Sequence, residues 1–224
     1  MKKGVIVVAG GIGQRMGRSF PKQFLPIGGI PLLMRTMLAF YHYEEEMEFV
    51  LALPQAYIPY WKKLCEQQSF IVPHRLISGG ATRFDSVYNA LQEISAEVRL
   101  IAVHDGVRPL VSHQLIERAF TEAARSGAAI PVMPVVESLR CVTDGGSGVA
   151  VRRADYRSVQ TPQIFVADIL RAAYRQPYRE EFTDDASVVE AVGYPVTLIE
   201  GETRNLKITT PYDLLVAETL CAHE

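Results

Sequence analysis

Short apolar, β-branched runs alternate along this chain with longer amphipathic stretches, and that alternation constrains its fold more than any other feature. The runs cover residues 5–9, 49–53, 100–104 and 129–135. Nearly unbroken apolar strands suit a parallel sheet covered on both faces. The intervening patterns read as helices. Residues 31–43 open on Pro31, which a first turn tolerates. Residues 82–93 open on Thr82 with Asp85 three positions on, a capping signature. Residues 112–126 open on Ser112 and are followed by Gly127. Thr210-Pro211-Tyr212-Asp213 starts a last helix. The expected fold is α/β and Rossmann-like: a mostly parallel twisted sheet flanked by helices, with right-handed crossovers.

One segment breaks the alternation. Residues 138–143 and 149–153 are strand-like and are separated by Asp144-Gly145-Gly146-Ser147-Gly148, which reads as a hairpin. Arg140, Arg152, Arg153 and Arg157 crowd its flanks, which argues against a core position. A projecting β-arm at about residues 137–160 is expected, with a partner subunit as its natural contact. At 224 residues, with no linker and no repeat, the chain predicts one domain over 1–224.

Charge is nearly balanced, 23 Lys+Arg against 25 Asp+Glu, which offers no footprint for nucleic acid or an anionic membrane. Cys65, Cys141 and Cys221 are far apart and form no C-x-x-C, so neither a disulfide framework nor a zinc site is expected. Gly10 and Gly11 interrupt the first apolar run too early for a signal peptide. A cytoplasmic protein is expected.

The first strand runs into Gly10-Gly11-Ile12-Gly13-Gln14-Arg15-Met16-Gly17. A glycine-rich turn at the carboxyl edge of an α/β sheet can bring backbone N–H groups up to an anion. Two familiar motifs fail here. Met16 stands where a dinucleotide fingerprint needs its third glycine, and no ribose-binding acid follows the second strand. Gly17 is followed by Arg18 rather than the lysine of a P-loop. What remains is Arg15, then Pro21-Lys22-Gln23, two cations within reach of one polyanion. The loop alone leaves a phosphate grip and a plain chain reversal both open.

Later motifs narrow the choice. The stretch from Val8 to Met16 with Pro21-Lys22-Gln23 resembles the opening of sugar-phosphate nucleotidyltransferases. Gly79-Gly80-Ala81-Thr82-Arg83-Phe84-Asp85-Ser86-Val87 and Val103-His104-Asp105-Gly106-Val107-Arg108-Pro109 resemble stretches of the cytidylyl members. Thr161-Pro162-Gln163, Thr183-Asp184-Asp185-Ala186-Ser187 and Asn205-Leu206-Lys207-Ile208-Thr209 follow in the family's order. The whole resembles the 2-C-methyl-D-erythritol 4-phosphate cytidylyltransferase family of the non-mevalonate isoprenoid pathway.

That resemblance implies CTP and a sugar-alcohol phosphate as substrates, Mg²⁺ or another divalent cation as cofactor, and a homodimer joined through the β-arm. It implies that Gly11, Gly13, Arg15 and Lys22 hold the CTP phosphates, with Arg15, Lys22 and Lys207 catalytic. Ala9, Gly80 and Ser86 would line the cytosine slot, and Arg83 would support it. Asp105 would contact the ribose or acceptor hydroxyls and help hold the metal. Arg108 and Thr183 would bind the acceptor, and Ser138 and Arg153 of the arm would serve the partner's site. Gly106-Val107 stands where Ala-Ala is frequent, a change expected to matter little, and Ser138 and Arg152 stand where a Thr and an acid are usual.

Taken singly, several residues have plainer readings. His104 reads as structural, because an acceptor phosphate is already ionised and needs no base. Asp184-Asp185 reads as a helix cap rather than a metal pair. Three rival functions stand beside the main one: a ribitol 5-phosphate cytidylyltransferase, a nucleotide-dependent oxidoreductase, and a non-catalytic nucleotide-binding protein.

Overall fold

The computed structural model describes residues 1–11, 21–142 and 146–222. The chain order is β1 (Lys3–Val8), β2 (Pro26–Ile27), β3 (Ile30–Pro31), α1 (Leu32–Tyr43), β4 (Glu48–Leu53), α2 (Ile58–Gln67), β5 (Arg75–Ser78), α3 (Arg83–Glu93), β6 (Leu100–Asp105) and α4 (His113–Ser126). There follow β7 (Ala128–Pro134), β8 (Leu139–Val142), β9 (Gly148–Val151), β10 (Arg157–Val159), β11 (Gln163–Val166), α5 (Ala167–Ala173), α6 (Asp185–Glu190), β12 (Thr197–Glu200) and α7 (Pro211–Cys221).

The central sheet has the order β10-β7-β11-β6-β1-β4-β5, with β12 also pairing with β7. The β6, β1, β4 and β5 strands run parallel. Beyond them β11 lies antiparallel between β6 and β7. The alternation along the sequence therefore predicts β1, β4 and β6 of the parallel half and β7 beyond them, and it misses β5 and the insertion of β11.

Period-two side-chain alternation sends Val5 and Val7 to one face and Ile6 to the other. The first face packs on α1, α2 and α4 through Met37, Phe40, Trp61 and Phe120. The second packs on α3, α5 and α6 through Val87, Leu91, Leu170 and Val189. Each such side chain contributes roughly 1.5–3 kcal/mol when fully buried. Two covered faces explain why β1, β4 and β6 read as continuous apolar runs.

The predicted helix starts are present in detail. Thr82 and Asp85 form a reciprocal capping box on α3, and Thr210 and Asp213 form another on α7. Ser112 caps α4, and Gly127 ends it with φ 93°. The hairpin pairs β8 with β9, Cys141 facing Val149, in a sheet of its own. Its predicted tip residues Asp144 and Gly145 lie outside the described residues. The arm is shorter than expected: Arg153 sits in a 3-10 turn after β9, and β10 rejoins the main sheet beside β7.

Candidate active site

Strand register builds the site. Val8 at the end of β1 lies level with Asp105 at the end of β6. Leu53 at the end of β4 lies level with Ser78 at the end of β5. The loops that leave these parallel strands therefore emerge at one carboxyl edge, where α/β sheets bind ligands. A cavity of about 290 Å³ opens there, close to the small end of the range for ligand sites. Ala9, Gly11, Lys22, Gly80, Arg83, Ser86, Asp105 and Lys207 all line it.

The 79–82 loop is drawn tight against α3. The Ser86 hydroxyl accepts from the Gly80 N–H at 3.1 Å and donates to the Thr82 carbonyl at 3.0 Å. A Cβ on Gly80 would stand 2.1 Å from the Asp85 Cβ, so only glycine fits this turn. Gly106 is confined too, though less tightly: an added Cβ would meet Ala9 Cβ and Leu33 Cδ1, each at 2.9 Å. Gln23, 1% exposed, donates to the Ala9 carbonyl at 3.0 Å and fixes the floor of the cavity.

Asp105 is the electrostatic centre. Its Oδ2 meets Arg108 Nε and Lys207 Nζ, each at 3.1 Å. Burial opposes its charge, but Lys207, Arg83 and Arg108 outweigh that cost and hold the carboxyl well below the usual range. Both cation contacts fall on Oδ2. Among the described residues no three His, Cys, Asp or Glu side chains come together to hold a metal. A single carboxylate fits Mg²⁺ that is held mainly by phosphate oxygens and water.

Arg108 does not line the cavity. It is buried behind Asp105, with Nη1 on the Asn205 carbonyl at 2.8 Å. His104 is fully buried, and burial pushes its imidazole down to about 3, in keeping with a structural role. Ser138 and Arg153 are exposed on the arm, where Arg153 donates to the Val136 carbonyl. Thr183 is exposed just before α6 and is not among the cavity-lining residues. Gly13 and Arg15 lie outside the described residues.

The Asp184-Asp185 pair divides. Asp184 caps α6, its carboxylate accepting from the Ser187 N–H at 2.9 Å. Asp185 is not a cap. It is fully buried, takes a two-pronged grip from Arg83 at 2.9 and 2.6 Å, and accepts from the Tyr174 hydroxyl at 2.6 Å. Burial works against the Arg83 charge, but Asp185 more than compensates and raises its pKa. This pair ties the rim of the nucleotide slot to α6 across 102 positions of sequence. Neither residue's neighbours in sequence announce the other, so only the fold reveals the contact. Thr161 and Asn205 stand in motifs the sequence shows, but it gives neither a contact: Thr161 accepts from the Asp105 N–H, and the Asn205 carbonyl holds Arg108.

A doubly covered α/β sheet with a glycine loop, paired cations and a lone carboxylate at its carboxyl edge defines a nucleotide-handling enzyme of the nucleotidyltransferase class. The family model of 2-C-methyl-D-erythritol 4-phosphate cytidylyltransferase matches residues 4–223. The chain is 51% identical over 220 residues to the protein of that name from Bacteroides fragilis, covering 98% of this chain and all of the relative. It is 39% identical to the one from Bacillus mycoides, covering 96% of each. The crystal structure of 2-C-methyl-D-erythritol 4-phosphate cytidylyltransferase from Thermus thermophilus matches with a TM-score of 0.80 at 38% identity, over 99% of this chain and all of that one. The chain belongs to the 2-C-methyl-D-erythritol 4-phosphate cytidylyltransferase family. That membership sets aside the oxidoreductase rival.

Proposed function

We infer that the protein transfers CMP from CTP to 2-C-methyl-D-erythritol 4-phosphate and releases pyrophosphate, in the non-mevalonate route to isoprenoid precursors. The observation that carries this reading is the cavity in which Lys22, Lys207 and Asp105 meet the small-residue slot of Ala9, Gly80 and Ser86. The slot suits a pyrimidine read by backbone groups. The cations suit a chain of phosphates that gains negative charge as its bond breaks.

The reaction is an in-line displacement. An acceptor phosphate oxygen attacks the α-phosphorus and forms a new P–O bond. The bond from the α-phosphorus to its bridging oxygen breaks, and pyrophosphate leaves with that electron pair. The acceptor phosphate needs no general base, consistent with the neutral, buried His104. Lys207 sits beside the α-phosphate, and Lys22, with Arg15, neutralises the departing pyrophosphate. Catalysis is positioning plus charge stabilisation, without a covalent enzyme intermediate. Mg²⁺, held by phosphate oxygens, water and Asp105, would add charge neutralisation on the triphosphate. Arg108 acts from behind Asp105, and Thr183 bounds the acceptor side.

The protein acts in the cytoplasm as a homodimer joined through the arm. Exposed Val136, Val142, Val149, Tyr156 and Val159 give the arm region an apolar surface that a second copy would cover. Ser138 and Arg153 then reach the partner's acceptor site. Free, scattered cysteines suit a reducing compartment. Among the described residues no helix is long and apolar enough to cross a membrane.

Phosphorus NMR tests the chemistry directly. With CTP, Mg²⁺ and methylerythritol phosphate, the acceptor monophosphate signal should give way to two coupled diphosphate signals plus pyrophosphate. Inorganic phosphate and CDP as products would mean simple hydrolysis and would overturn the transfer reading.

A further inference from the structure

Three segments meet at Thr161 behind the site. The Thr161 side chain, 5% exposed, accepts from the Asp105 N–H at 3.1 Å and lies 3.0 Å from His104 Nδ1. On the far side of the ring, His104 Nε2 lies 3.2 Å from the Arg108 carbonyl. A carbonyl only accepts, so Nε2 carries the proton. The other nitrogen of a neutral ring is an acceptor, so the Thr161 O–H donates to Nδ1. One oxygen thus receives from the Asp105 main chain and gives to His104, and both of its directions are used. The Thr161 carbonyl in turn accepts from Asn205 Nδ2 at 2.8 Å, which anchors the segment that carries Lys207.

We propose that Thr161 is a positioning residue for the transfer reaction: its hydroxyl sets the Asp105 main chain and the His104 tautomer, and so keeps the Asp105 carboxylate aimed at Lys207. The inference rests on the roles given above to Asp105 and Lys207. Thr161 touches none of the reacting atoms. Its effect passes through Asp105, whose Oδ2 meets Lys207 and Arg108 together. A loose Asp105 would let Lys207 drift from the α-phosphate, a misplacement that costs rate more than ground-state binding.

The test compares Thr161→Val, which keeps the shape and removes the hydroxyl, with Thr161→Ser, which keeps the hydroxyl. Thr161→Val should lower kcat about 10- to 100-fold with KM for CTP within about twofold, and Thr161→Ser should stay within about threefold of wild type. Wild-type kcat in Thr161→Val, or an equal fall in Thr161→Ser, overturns the proposal. Nitrogen-resolved NMR of His104 in the unaltered protein supplies a second reading that needs neither turnover nor a variant. It should show the Nε2–H tautomer with Nδ1 accepting a hydrogen bond, and an Nδ1–H tautomer overturns the proposal even if Thr161→Val does not fold. An inactive wild-type enzyme with the expected tautomer would count against the transferase reading, while the Thr161 contact itself would stand.

Discussion

Lys22 and Lys207 approach the cavity from opposite ends of the chain, Lys22 in the turn after the glycine loop and Lys207 in the segment before α7. Their charge matters most when the α-phosphorus is crowded and pyrophosphate is leaving. Lys22→Ala and Lys207→Ala should therefore each cut kcat by at least about 100-fold and change acceptor KM far less, as steady-state kinetics will show. Near-normal turnover in both variants would contradict their roles. The Arg83–Asp185 pair, with Asp185 fully buried and Arg83 partly exposed, makes a different prediction. Asp185→Asn leaves the Arg83 charge without its counter-ion and should destabilise the fold by about 1.5–3 kcal/mol in urea unfolding. Tyr174 adds a pH signature. Burial, with Asp185 close by, raises its pKa well above 10.0. The unfolded phenol loses its proton near pH 10 while the folded one keeps it. Stability present below pH 10 is thus lost as pH rises further, by up to about 1.4 kcal/mol per unit from this group. Tyr174→Phe should flatten that alkaline slope.

At the scale of elements, local rules made much of the fold legible. Thr82 with Asp85, Ser112 with Gly127, and Thr210 with Asp213 mark helix ends by chemistry that acts within a few residues, and each mark is realised. The β1, β4 and β6 strands are legible because burial on two faces writes an apolar run. The α2 helix and β5 are not, because β5 has no fully buried residue and α2 buries only Trp61 and Leu64. β11 evades sequence reading for another reason. It takes its place between β6 and β7 by pairing with strands far from it in sequence. The site divides along the same line. All five of Lys22, Asp105, Lys207, Asp185 and Thr161 stand in recognisable motifs, but Asp185 and Thr161 matter through partners that no local pattern names. Gly80→Ala offers a check at this scale. The added methyl would collide with Asp85, so it should open the capping box on α3 and weaken CTP binding, measured by calorimetry. Unchanged affinity would contradict the tight-loop account.

The whole molecule is a sheet whose parallel half carries the nucleotide site and whose mixed half carries the arm between β7 and β10. If the arm completes the partner's site, two defects in different chains should complement each other. A mixture of Arg153→Ala and Lys207→Ala subunits, exchanged into mixed dimers, should regain activity that neither variant has alone. In a mixed dimer one site would hold both intact residues. No recovery after verified exchange would place Arg153 in its own chain's site or outside the reaction.

The central claim is the identity of the transfer, and pyrophosphate release with CTP and Mg²⁺ tests it most directly when methylerythritol 4-phosphate and ribitol 5-phosphate are compared as acceptors. The account predicts rapid release with methylerythritol 4-phosphate and little with ribitol 5-phosphate. Preference for ribitol 5-phosphate would contradict the assigned acceptor while preserving the chemistry, and release with neither would contradict the transferase reading itself.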